Sequence, residues 1–188
     1  MAGVKQFDRE EVLNRAMRVF WERGYEATSI QDLVAATGLK CGSLYATFVD
    51  KKQIFLTVLA HYADRVGHPI LAELADPDPR QAIEWMFVAI LHRTSDPTQP
   101  PGCLITNTAL ECPGSGDEIN RTIATWMSHQ ESAVYQVLLR AQATGDLPQT
   151  QDCRALARFF AETEAANAKR TSVTATPTPQ AVIKTLGT

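Results

Sequence analysis

The chain has 188 residues, enough for one or two domains with an adequate core. Its 45% hydrophobic content is that of a folded protein, and a formal net charge of −3 argues against a wholly basic nucleic-acid coat while leaving room for a local basic footprint. No apolar run approaches the ~20 residues of a membrane span, and the polar opening MAGVKQFDREE leads into a helix rather than a signal peptide, so a cytoplasmic location is expected.

Helical rhythm predominates along the chain, and the predicted fold class is all-α. The first helix is expected over 8–23. Asp8 and Glu11 form a capping box, Phe7 and Val12 a hydrophobic staple, and Gly24 the stop. Its inner face is Val12, Leu13, Ala16, Met17 and Phe20. Two short helices follow. Thr28 caps the first with Gln31 as its box partner, Ile30, Leu33 and Val34 form its apolar face, and Gly38 breaks it. Leu39 anchors the turn, and Leu44 and Phe48 give the second helix a short buried edge. Helix, glycine turn, helix is the layout whose second helix enters the DNA major groove.

The next helix starts at Lys51, with Asp50 as N-cap, Gln53 at the box position and Val49–Ile54 as staple. Ile54, Phe55, Val58, Leu59, Tyr62 and Val66 face inward, and Gly67-His68-Pro69 should end it. Lys51 and Lys52 stand in its first turn, where each cation opposes the helix dipole by roughly 0.3–1 kcal/mol. A bound phosphate would compensate. Residues 33–55 carry Lys40, Lys51 and Lys52 against Asp50 alone, so positive charge is local to the motif.

Asp78 and Pro79 open a further helix, apolar around most of its girth (Ile83, Trp85, Met86, Phe87, Val88, Ile90, Leu91), which should be buried or line a cavity. After a Pro-rich loop, a short helix spans 103–111. A break at Cys-Pro-Gly-Ser-Gly precedes a long helix over 117–144, striped by Ile119, Ile123, Trp126, Val134, Val137, Leu138 and Ala141. Another helix covers about 151–169, a Thr/Pro-rich loop 171–179, and a short last helix 179–186.

Residues 12–55 resemble the DNA-binding domain of the TetR family of bacterial transcriptional regulators. The resemblance rests on Ala16, Phe20, Gly24-Tyr25, Thr28-Ser29-Ile30, Leu33-Val34, Gly38-Leu39, Gly42-Ser43-Leu44-Tyr45, Phe48 and Lys51, without gaps. The segment PGCLITNTALE, 101–111, is also similar to one found in many such regulators. It implies a helix-turn-helix DNA-binding domain over 1–50 and a helical effector-binding and dimerisation domain over 51–188, with the helix from 51 as link. A homodimer joined by the last two long helices, binding double-stranded operator DNA and a small apolar or amphipathic effector, is further implied. Tyr45 and Lys51 match phosphate-gripping positions, and Thr28 a phosphate-facing cap. The family often has a basic or aromatic residue where the small Ala46 and Thr47 stand here.

Lys40, Ser43 and Thr47 project from the recognition helix toward base edges or backbone, with Gly42 between them. Cys41 is either a small groove-facing residue or a thiol whose thiolate the helix N-terminus stabilises. Trp85, Phe87, Cys103, Trp126 and Phe160 are the candidates for an effector pocket, set against plain core packing. Cys103 and Cys112 flank the 103–111 helix and could act as redox or electrophile triggers, or be small buried hydrophobes. A thiol enzyme is the remaining class, though no cysteine and histidine form a recognisable catalytic set. The four histidines show no metal-ligand spacing and read as surface residues; no cofactor is expected.

Overall fold

The computed structural model describes residues 8–111 and 118–170, with side chains described to residue 161. Phe7, Cys112, the 112–117 break, the 171–179 loop and the expected last helix lie outside the described residues. The elements are α1 (Arg9–Arg23), α2 (Ile30–Thr37), α3 (Cys41–Phe48), α4 (Lys51–Tyr62), a π-turn (Ala63–Gly67), α5 (His68–Ala72), a 3₁₀ turn (Glu73–Ala75), α6 (Pro79–Thr94), α7 (Leu104–Glu111), α8 (Glu118–Thr144) and α9 (Cys153–Arg170). Among the described residues there is no strand.

Local capping chemistry sets most boundaries. Asp8 accepts from the amides of Glu10 and Glu11, Asp50 from Gln53, and Asp78 from Arg80 and Gln81. Glu11 turns outward to pair with Arg15. At α2 the cap lies one residue later than expected. Ser29 is the N-cap, exchanging hydrogen bonds with Asp32 in a full capping box. Thr28 is 1% exposed and donates its hydroxyl to the Gly24 carbonyl at 2.6 Å. The buried neighbour took the structural hydrogen bond and left the cap to the exposed serine.

Two cores result. The first joins Ala16 and Phe20 of α1, Leu33 of α2, Leu44 and Phe48 of α3, and Phe55, Val58 and Tyr62 of α4 to Leu104 and Ile105 of α7 and Ile119 and Ile123 of α8. It runs past residue 50, so the first three helices and the long helices share one packed interior. His61 of α4 adds a 2.7 Å bond to Asn14 of α1; burial pushes its imidazole below the ordinary range. The second core gathers Ala82, Ile83 and Met86 of α6, Val134, Val137 and Leu138 of α8, and Ala157 and Phe160 of α9.

The helical path does not stop at Gly67-His68-Pro69. It passes through the π-turn, where the His68 amide bonds the Ala63 carbonyl, into α5 with Pro69 in its first turn. A Cβ on Gly67 would lie 2.2 Å from the Trp126 ring, so the indole of α8 packs directly on this backbone. α6 is also less buried than its composition suggests. It buries Pro79, Ala82, Ile83 and Met86, but Trp85 is 47% exposed and Val88 40%.

Candidate nucleic-acid interface and effector cleft

Gly38 lets the chain turn between α2 and α3. Its φ of +71° is in the left-handed region, and its amide closes α2 on the Val34 carbonyl at 3.0 Å. α3 then stands on only two buried side chains, Leu44 at 1% and Phe48 at 4% exposure. Lys40, Cys41, Gly42, Ser43, Tyr45, Ala46 and Thr47 all face outward. Lys40 is the N-cap residue and provides no side-chain cap, and the first turn holds no acidic residue. The start of α3 is therefore an exposed helix N-terminus with its leading amides directed outward.

The exposed side chains differ in how free they are. Tyr45 is 44% exposed. Thr47 donates its hydroxyl back to the Ser43 carbonyl at 2.9 Å, which engages its one side-chain donor. A Cβ on Gly42 would meet nothing within 4 Å, so no internal packing requires glycine there. α3 ends in strain. Val49 has φ +62° and ψ −59°, and the Asp50 amide bonds the Phe48 carbonyl across it at 2.6 Å. This is a γ-turn of the rare positive-φ hand, costing about 1–3 kcal/mol for a β-branched residue. Val49 is 75% exposed, so it does not staple onto the buried Ile54.

Lys51 is turned inward. Its ammonium donates to the Thr28 carbonyl at 2.9 Å, lies 3.5 Å from the Glu26 carbonyl, and sits 4.4 Å from the centroid of the Tyr25 ring. The compensation expected from a phosphate for this first-turn cation is thus supplied in part by the α1–α2 loop. Lys52 pairs with Glu118 of α8 at 3.6 Å. Among the described residues this leaves Lys40 as the motif lysine whose ammonium makes no hydrogen bond, ion pair or ring contact.

The five expected pocket residues fall in different surroundings among the described residues. Trp85 lies on the outer face of α6, Phe87 and Phe160 pack together in the second core at 5.6 Å, and Cys103 is half-buried against the first core. Of the five, Trp126 lines the cleft of about 580 Å³ that it forms with Leu59 and Ala63 from α4 and its π-turn, Ile105 from α7 and Ile123 from α8. Composition could not separate these cases, because each aromatic sits at helical spacing and only the partner helix decides its surroundings. His68 and His129 lie 4.9 and 5.9 Å from the Trp126 ring and 6.1 Å from each other, and this three-ring cluster gives the cleft an aromatic, partly polar rim with Arg121 and Glu118. Among the described residues no group of three His, Cys, Asp or Glu side chains is placed to hold a metal ion. Cys41 is exposed, and Cys153 is buried, which pushes its thiol up. No helix of the described residues is long and apolar enough to cross a membrane.

Comparison with known proteins gives one consistent picture. The family model for bacterial regulatory proteins of the tetR family matches residues 12–58, and that for the tetracyclin repressor-like C-terminal domain matches residues 79–185. The chain is 39% identical over 159 residues to the HTH-type transcriptional repressor ComR of Escherichia coli strain K12, covering 83% of this chain and 75% of that one. It is 35% identical over 162 residues to the HTH-type transcriptional regulator YezE of Bacillus subtilis strain 168, covering 85% and 84%. Among solved structures it is similar to the TetR family transcriptional regulator CifR, a cysteine mutant complexed with 26-bp double-strand operator DNA. That match has 28% identity, a TM-score of 0.82 and 97% of each chain covered.

Proposed function

Because the chain belongs to the TetR family of bacterial transcriptional regulators, we propose that it is a ligand-responsive repressor, a homodimer that sets one α3 into the major groove at each half of an inverted-repeat operator. The observation that carries this reading is α3 itself, an eight-residue helix with two buried residues, an uncapped N-terminus and an outward row of small and polar groups. The Tyr45 hydroxyl and the leading amides of Cys41 and Gly42 take phosphates, which fix register without reading sequence. Lys40 and Ser43 reach base edges, and the Thr47 methyl offers an apolar contact of the kind that reads thymine. Lys51 positions the α1–α2 loop and turns its remaining N–H to the backbone. Thr28 acts from inside the protein by fixing that loop, not as a phosphate ligand. Residues 1–50 are the reader, α4 the strut and 51–188 the effector and dimer part.

A small apolar or amphipathic molecule enters the cleft beside Trp126 and shifts α4. It moves the balance only as far as its affinity differs between the two states. The exposed Phe159 of α9 marks the dimer face. A second reading has one supporting observation. Cys103 directly precedes α7 and is half-buried against the first core, so its oxidation or alkylation would disturb the same helix. Loss of response in Cys103→Ser with DNA binding retained would favour it over a ligand-gated device.

Selection from random duplexes should return an inverted repeat. Recovery of nothing but salt-sensitive, sequence-indifferent binding would sink the proposal. Gly42 offers a sharper check. Since a Cβ there meets nothing inside the protein, Gly42→Ala should leave the thermal midpoint unchanged or raise it. Operator affinity should nonetheless fall by about tenfold or more, equivalent to roughly 1.4 kcal/mol, because the added methyl blocks close approach of the DNA backbone. An alanine variant that binds like the parent would remove Gly42 from the interface.

A further inference from the structure

We propose that Glu111 is the latch through which the cleft controls the reader, a positioning residue whose carboxylate holds the α1–α2 loop; this rests on the regulator reading above. Glu111 is the last residue of α7. Its Oε2 accepts from the Tyr25 amide at 2.9 Å and its Oε1 from the Glu26 amide at 2.7 Å. Both oxygens are thus charge-assisted acceptors for adjacent backbone donors, the stronger class of hydrogen bond. The fit extends to Gly24. A Cβ there would lie 2.5 Å from Oε2, and the residue has φ +84°, so any side chain would be strained and would displace the carboxylate.

The loop is held from two sides. Lys51 binds the carbonyls of Glu26 and Thr28, while Glu111 binds the amides of Tyr25 and Glu26. This loop ends at Ser29, the N-cap of α2, so its position sets where α2 and hence α3 begin. α7 carries the other end of the connection. Ile105, 4% exposed and in contact with the first core, lines the cleft six residues before Glu111. At 1.5 Å per residue that is roughly 9 Å along one short helix. A group that fills the cleft against Ile105 moves α7 as a unit, draws the carboxylate off the two amides and frees the loop. Occupancy of the cleft and attachment of the loop are thereby coupled, and the coupling is reciprocal.

The test uses the full chain, the selected inverted repeat and a packing surrogate for the effector. Ala60, exposed on the cleft wall, is replaced by phenylalanine; Thr122→Leu is the second filling variant. Hydrogen exchange is followed at single amides. Glu111→Gln should speed exchange at Tyr25 and Glu26 by tenfold or more while the Phe55 and Val58 amides keep wild-type rates, and should weaken operator binding. Ala60→Phe should do the same in the wild-type background and add less than twofold in the Glu111→Gln background. The latch is overturned if Glu111→Gln leaves the Tyr25 and Glu26 amides protected, if neither filling variant moves them, or if the two effects on operator affinity multiply. The exchange measurements need no DNA. A chain that selects no inverted repeat would therefore count against the regulator reading and leave the latch to be judged on exchange alone.

Discussion

Lys51→Ala should lower both the stability of the protein and its affinity for DNA. The ammonium donates to the Thr28 carbonyl at 2.9 Å and stacks 4.4 Å from the Tyr25 ring centroid, at a half-buried position. A hydrogen bond from a charged donor contributes about 1.5–3 kcal/mol, and a partly exposed cation–π contact about 0.5–1 kcal/mol. Alanine also relieves the unfavourable meeting of a cation with a helix N-terminus, which returns roughly 0.3–1 kcal/mol. The net cost is therefore roughly 2 kcal/mol, and in a chain of this length the thermal midpoint should fall by about 4–8 °C. The loop that positions α2 would be loosened, so operator affinity should drop with it. Salt dependence separates the two roles. If Lys51 also meets a phosphate, the slope of log K against log salt should shrink by about 0.9. An unchanged midpoint would refute the clamp, and an unchanged slope would refute the phosphate contact.

What could be read from the sequence was what local chemistry decides. Asp8, Asp50 and Asp78 cap their helices where the sequence places them, because a cap is a contact between residues two or three apart. Gly38 was equally legible, since a turn with positive φ favours glycine. The misses share another cause. Thr28 and Ser29 are both competent caps, and only the burial of Thr28 against Gly24 settles which one serves. Gly67-His68-Pro69 carries every local sign of a helix end, yet the Trp126 indole packed on Gly67 accompanies a continuous helical path through it. α6 has apolar residues around its girth, but periodicity cannot say which side finds a partner, and Trp85 finds solvent. Lys51 and Glu111 could be seen as members of a motif and not as the two holders of one loop. Their contacts span 23 and 86 residues, and nothing local encodes them.

The exposed aromatic on α9 leads to the other large expected effect. On the proposed homodimer, Phe159→Glu should yield monomers and reduce operator affinity by at least about a hundredfold. Phe159 is 59% exposed in the single chain, beside Phe160, which is 9% exposed and closes the second core. Burying a phenylalanine side chain is worth about 1.5–3 kcal/mol. A two-fold interface uses the same surface on both subunits, so the substitution acts twice and adds two carboxylates that must desolvate. Loss of about 3 kcal/mol would alone weaken association by roughly a hundredfold. Operator binding should follow, because a dimer would make engagement of the second half-site effectively intramolecular, and monomers would lose that advantage. Trp85→Lys is the control. It removes an aromatic of similar exposure from α6, and the protein should remain dimeric with wild-type operator affinity. Sedimentation equilibrium and fluorescence anisotropy on full and half operators read both outcomes. If the Phe159→Glu protein stays dimeric while Trp85→Lys falls apart, the subunits meet through α6 and not through α9.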